Sequence, residues 1–293
     1  MLSACQSIQR PDNRFDVSVS NPTYTTSHPK VLYDEGHLNT HKADGTYKPF
    51  IKLLTHDGYQ VSVSEQAFTR ELLEPYQLVI ITNAKVSPDK LKNESAFTPE
   101  ECTVVQAWVK QGGALLLIAD HHPFGLANQR LANCFGITMG GGSVKDTAAY
   151  KRKQGQLEFS HANGLLAPHP IIHGLSGQHQ INRVITFTGQ SLTGSGEAKP
   201  ILLLGTTTRE VRPDSVWQQG DKHFITYSKP IPVHNLSQAM SVEYGEGRVV
   251  VVGEAGVLSA QKLFGRKFGM NRPKNTDNKQ FALNIVHWLT SPY

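Results

Sequence analysis

The sequence predicts an α/β domain built on a mostly parallel sheet, and three observations carry that expectation. From Lys30 onward, short apolar runs alternate with amphipathic stretches, the pattern of strands joined by crossover helices. Two runs, 114–119 and 249–252, are unbroken and rich in Leu or Val, as strands buried on both faces are. Thr98-Pro99-Glu100-Glu101 supplies an N-cap, a proline at the first helical position and a glutamate three residues past the cap, which together start a helix.

Taken in order, Val31-Leu32-Tyr33 is the first strand, and Phe50, Ile51, Leu53 and Leu54 stand at helical spacing within 47–57. Gly58 stops that helix before the alternating strand 59–63. A short helix over 68–73 leads to the buried-type strand 78–81, and a polar loop runs through Asn93. The capped helix directs Val104, Val105, Trp108 and Val109 to the core, Gly112-Gly113 ends it, and strand 114–119 follows. A further helix is expected over 128–135, then an exposed Gly- and Lys-rich loop over 140–153. Runs 184–188 and 201–204 read as extra strands, 248–253 as an interior strand, and 277–289 as a helix with Phe281, Ile285, Trp288 and Leu289 in one stripe. The domain therefore covers 30–293 with an insertion around 140–245, and 1–29 reads as a disordered tether or signal remnant.

At 39% apolar residues the chain of 293 has enough to bury a core. A formal charge of +5, scattered along the chain, argues against nucleic acid as a partner. No apolar run approaches the roughly 20 residues that cross a bilayer. The three cysteines, Cys5, Cys102 and Cys134, contain no C-x-x-C pair, which disfavours thiol and zinc-ribbon chemistry. Leu2-Ser3-Ala4-Cys5 reads as a lipobox followed by a polar spacer. Lipidation of Cys5, with a periplasmic or membrane-tethered address, is expected if translation begins upstream of Met1; otherwise the chain is cytoplasmic.

In a parallel sheet, ligands bind at the carboxyl ends of the strands. Those ends carry Asp34-Glu35-Gly36-His37-Leu38-Asn39-Thr40-His41, then Asn83, then Asp120-His121-His122, then Glu254. Four ends bearing carboxylates, imidazoles and an amide predict a functional crevice. Glu35, His37, Asp120, His121 and Glu254 are the candidate catalytic groups. Asp34, Asn39, Asn83, His122 and Asn271 are candidate ligand contacts, Asn271 and Arg272 coming from a lid over 268–278. Two chemistries fit these residue types. In one, His37, His41, His121 and Glu254 hold a divalent metal such as zinc with an open water position. In the other, a partly desolvated Glu35 or Glu254 works with a histidine as acid and base, without metal.

Three blocks carry a resemblance: 34–41, the run from Gly112-Gly113 through Gly125, and Gly253-Glu254-Ala255 through Phe268-Gly269-Met270-Asn271. With them the chain resembles an uncharacterised bacterial family, a domain of unknown function in the class I glutamine amidotransferase-like superfamily. The resemblance implies a flavodoxin-like three-layer sandwich. Amidotransferases of that superfamily place a nucleophilic cysteine on the turn after a central strand, where this chain has Asp120-His121-His122, so thioester hydrolysis of glutamine is not expected. Trehalose-utilisation-like proteins in the same superfamily similarly place a histidine after a Gly-Gly and apolar strand, which implies a small-molecule or saccharide ligand. The expected function is hydrolysis of a small molecule or glycan fragment; the alternative is a non-catalytic ligand-binding or scaffold lipoprotein.

Overall fold

The computed structural model describes residues 9–86, 95–148, 155–219, 222–272 and 275–291. The main sheet has nine strands: β1 (Lys30–Asp34), β2 (Gln60–Ser64), β3 (Leu78–Thr82), β4 (Ala114–Ile118), β5 (Ile137–Met139), β6 (Leu192–Gly194), β7 (Lys199–Leu203), β8 (Ser237–Tyr244) and β9 (Gly247–Val252). They lie in the order β2-β1-β3-β4-β9-β8-β6-β5, with β7 also paired to β8. Alternate side chains of these strands feed two cores. Val31, Tyr33, Ile80, Leu116 and Val250 pack under helices α1 (Lys48–His56) and, at the other end of the chain, Asn278–Thr290. Leu32, Val79, Leu115, Leu117 and Val251 pack on the opposite face against α2 (Arg70–Leu73), α3 (Pro99–Lys110) and α4 (Phe124–Asn133). We number the C-terminal helix Asn278–Thr290 α5.

The expected mostly parallel sheet holds for β2-β1-β3-β4-β9 alone. Beyond β9 the pairing is antiparallel, and several small sheets flank the main one, so the architecture is mixed α/β with multiple sheets. β8 escapes sequence reading because Ser237, Gln238 and Ser241 are buried within it. Their polar atoms are satisfied: Thr186 Oγ1 donates to Gln238 Oε1 at 2.6 Å, and Ser241 Oγ lies 2.7 Å from His169 Nε2. The two-residue connection Gly245-Glu246, with Gly245 at φ +61°, joins β8 to β9, and so short a link can join only antiparallel neighbours.

The capping box forms: the Glu101 backbone N–H donates to Thr98 Oγ1 at 3.1 Å and the Thr98 N–H to Glu101 Oε2 at 3.0 Å. Helix α4 begins at Phe124, four residues before the expected 128. The expected exposed loop over 140–153 is in part a strand, Ser143–Asp146, which pairs with Thr208–Val211 because Val144 is fully buried; 149–154 lie outside the described residues. The spacer also differs from expectation. Gln9–Pro11 pairs with Ala260–Leu263, Asp12 is buried, and Phe15, Val17, Val19 and Tyr24 pack on the core. From Gln9 onward the expected tether is built into the domain. Cys5 and its lipobox lie outside the described residues, and among those described no helix is long and apolar enough to cross a membrane.

Candidate functional site

Strands β4 and β9 are parallel neighbours with Ile118 opposite Val252. Asp120 and Glu254 each come two residues later, so they leave adjacent strands, about 5 Å apart, at the same height and on the same face. Their loops are fixed in place. The Asp120 N–H donates to Asn83 Oδ1 at 2.8 Å, and Gln190 Nε2 donates to the carbonyls of Ala119 and Asp120 at 2.7 and 3.0 Å. Gly189 sits at φ +77° with its Cα against the Glu254 loop; a Cβ there would lie 2.5 Å from the Gly253 oxygen. Gly269, at φ +81°, packs as closely on Gly256 and Ser259, which brings the following segment, including Arg272, to the same rim.

The result is a cavity of about 110 Å³ lined by Asp120, Glu254, His41, His121, Thr186 and Arg272 among others. The Glu254 carboxylate is 2% exposed and accepts the N–H groups of Gly256 at 2.6 Å and Val257 at 2.8 Å. Those amides favour the anion, yet burial, with the Asp120 charge adding to it, holds the Glu254 carboxyl well above the usual range. Burial raises Asp120 as well, against the opposing effect of His121. Two carboxyls thus line one site with both displaced upward, Asp120 in spite of the His121 imidazole beside it. His41 is buried, its Nδ1 is 2.7 Å from Thr46 Oγ1, and burial, helped by the Lys85 charge, lowers its pKa to about 4. It is a neutral imidazole with Nε2 left for the cavity. The half-exposed His121 donates Nδ1–H to the His122 carbonyl at 3.0 Å, which turns Nε2 toward Asp120 Oδ1, 3.9 Å away.

A second constellation forms at the end of β1 and does not open to a cavity. His37 donates through Nδ1 to Asp34 at 2.9 Å and through Nε2 to Glu101 at 2.9 Å, and its ring packs against the stacked rings of Phe68 and Phe97, at 4.8 and 4.5 Å. Both nitrogens donate, so the ring is an imidazolium. Burial opposes that charge, but the two carboxylates outweigh it and raise the pKa to about 9. For Glu101 burial is likewise overcome, by His37 and by the Thr98 and Phe68 amides, and its pKa falls to about 2. Asn39 completes the cluster, donating to Asp34 Oδ2 at 3.0 Å and to the Thr82 carbonyl at 3.2 Å.

Of the residues expected to act together, Asp120, His121, Glu254 and His41 line one cavity. Glu35 does not: its Oε1 accepts the Ala43 N–H at 2.7 Å and its Oε2 pairs with Lys42 at 3.1 Å, which closes its own loop. His37, Asp34 and Asn39 are consumed by the ion network just described, and Asn83, at φ +46°, braces the Asp120 turn. His122 lies outside the lining, and Asn271 donates to Asp12 and to the Gln261 carbonyl, both at 3.0 Å, instead of facing the cavity. The four-ligand metal set is corrected on the same ground. His37 has no nitrogen left to coordinate, and among the described residues no three His, Cys, Asp or Glu side chains are grouped to hold a metal. Sequence reading missed Thr186, Gln190 and Gln261. Thr186 lay inside the expected strand 184–188 and Gln190 just after it, while nothing in the sequence marked Gln261.

No family model and no curated protein matches the chain. Among solved structures, the chain is similar to the "mmIFT52 N-terminal domain" at 15% identity and a TM-score of 0.62, over 90% of this chain and 98% of that one. It is also similar to a protein described as thua-like from Bacteroides uniformis, at 12% identity and a TM-score of 0.44 over 92% of this chain and 95% of that one. For a cytoplasmic protein from Salmonella typhimurium the values are 12% and 0.45, over 89% and 98%. The first speaks for a shared fold alone; the other two superpose too loosely to support a further conclusion.

Proposed function

We propose that this protein is a hydrolase of a small molecule or glycan fragment, built on an amidotransferase-like scaffold in which an acid pair replaces the cysteine nucleophile. The observation that carries this reading is the placement of Asp120 and Glu254 just beyond the in-register ends of adjacent parallel strands, lining one cavity, Glu254 buried and Asp120 half-buried. In this mechanism the protonated acid of the pair is the general acid for the leaving group, and its ionised partner activates water. His41, held neutral by burial, and His121 hydrogen-bond the substrate's polar atoms. The inner chamber, about 110 Å³, approaches the roughly 150 Å³ that admits one benzene ring, so it takes the reacting group of the substrate and no more.

A panel of chromogenic esters, phosphates and glycosides tests this. Asp120→Asn and Glu254→Gln are each expected to lower kcat by about 100-fold or more on the class that is turned over, with a pH profile displaced in both. A folded wild type that turns over nothing in the panel overturns the reading. It would favour a non-catalytic ligand-binding protein, for which the observation is that both Glu254 oxygens already accept backbone N–H groups. We propose also that Cys5 is lipidated when translated with an upstream signal. Mass spectrometry of protein made from its native upstream region checks this, and an unmodified Cys5 in the cytoplasmic fraction overturns it.

A further inference from the structure

The cavity does not end at its mouth. Phe187, Leu263, Phe268 and Arg272 also line a wider groove of about 820 Å³, whose far side is the hairpin formed by Ala260–Leu263 and Arg266–Gly269. The tip of that hairpin is Phe264-Gly265, with φ +48° and +77°. A phenylalanine in the left-handed region is disfavoured, and Phe264 is 77% exposed, so no packing in the chain compensates for its conformation. Phe187 and Phe268, which line the same groove, meet edge to face at 5.1 Å. The groove lining therefore carries three aromatic rings, and Arg266 and Lys267 add positive charge to it.

Arg272 stands where chamber and groove join. Its guanidinium makes no ion pair with a carboxylate of the described residues, although it is half-buried. Burial first and the charge of Arg183 second disfavour it, and Glu254 compensates only in part. Arg183 is itself bonded to Glu158 Oε2 at 3.0 Å and to the Asn275 carbonyl at 3.1 Å, so it is fixed there. A half-buried guanidinium that lines both the chamber and a groove carrying Arg266 and Lys267 is suited to a planar or tetrahedral oxyanion.

We propose that the ligand of this site carries an oxyanion, a carboxylate or phosphate, held by Arg272, and an apolar or aromatic tail laid along Phe187, Phe268 and Phe264. The inference rests on the cavity assigned above and names the ligand class it takes. Titration calorimetry with phenyl phosphate, 3-phenylpropionate and the neutral 3-phenylpropanol tests it. At least one of the anions is expected to bind about tenfold tighter than the alcohol, and which of the two does so identifies the anion. Arg272→Gln should reduce that anion to the alcohol's affinity, Arg272→Lys should retain part of the gain, and Phe264→Ala should weaken all three by about threefold. On the unmodified protein, raising salt from about 50 to about 500 mM should weaken the anion alone. Equal affinity of alcohol and anions, no binding of any of the three, or a folded Arg272→Gln that binds as the wild type overturns the proposal. The hydrolase reading fails separately: anion binding that depends on Arg272 without turnover of any substrate sinks that reading and leaves this one standing, and turnover indifferent to Arg272→Gln does the reverse.

Discussion

At the end of β1 a histidine meets two carboxylates, and at the ends of β4 and β9 two carboxylates meet two histidines; the residue types are the same and the outcomes are opposite. His37 lies between Asp34 and Glu101, each of its nitrogens bonded, and the trio is closed by two phenylalanine rings. Charge is balanced by partners there, so the histidine rises to about 9 and Glu101 falls to about 2. In the cavity both carboxyls line one space, His41 is held neutral, and burial pushes both acids upward. Ionisable residues at strand ends thus become structure when every polar atom has a partner of opposite charge. They become available for chemistry when burial outweighs the opposite charges nearby and an opening to solvent remains.

The largest test of this contrast removes the closing cation. His37→Ala leaves Asp34 and Glu101 buried without it, and should cost about 3–5 kcal/mol in urea unfolding. Turnover per folded molecule should be retained. A loss below about 1 kcal/mol would show that the β1 network is not the stabilising cluster described here.

The pH dependence comes next in size. His37 titrates at about 9 in the folded chain against 6.5 for a free side chain, so its contribution is complete below about pH 6.5 and is lost as pH rises toward 9. Glu101 titrates at about 2 against 4.5, so its contribution is complete above about pH 4.5 and is lost as pH falls toward 2. Urea midpoints should therefore form a plateau between those limits, and the alkaline limb should flatten in His37→Ala. The cavity has the opposite sign. Asp120 is raised when folded, so ionising it costs stability as pH rises above its unfolded value, and Asp120→Asn, while inactive, should be more stable than wild type by about 1 kcal/mol near neutrality. Denaturation at pH 5 and pH 8 checks this; an Asn variant equally or less stable at both would mean that the acids do not oppose each other. The smallest effect belongs to Glu35, whose partner Lys42 is 43% exposed. Glu35→Gln should change stability by less than about 1 kcal/mol and turnover not at all, both read from the same preparations.

Much of this was legible without coordinates. The capping box at Thr98 and Glu101 was readable because it is made within four residues, and strand 247–252 because its four consecutive buried valines leave an apolar run. Asp120 and Glu254 were legible as strand-end acids, and parallel neighbours in register bring such residues together. His37 was misread as a catalytic group and metal ligand because its second partner, Glu101, is 64 residues away, and was itself legible only as a cap. β8 was missed because its buried Ser and Gln side chains look exposed until Thr186 and His169 reach them.

The chain alone determined the strongly patterned elements, the capped helix and the apolar strands, and which of their ends carry ionisable groups, since periodicity and capping act over a turn or two of backbone. Tertiary structure alone decided which of those groups are neutralised, which repel one another, and that Arg272 and Phe264 stand at the mouth. Desolvation and charge pairing depend on everything within several ångströms, and most of those neighbours come from elements far apart in the chain.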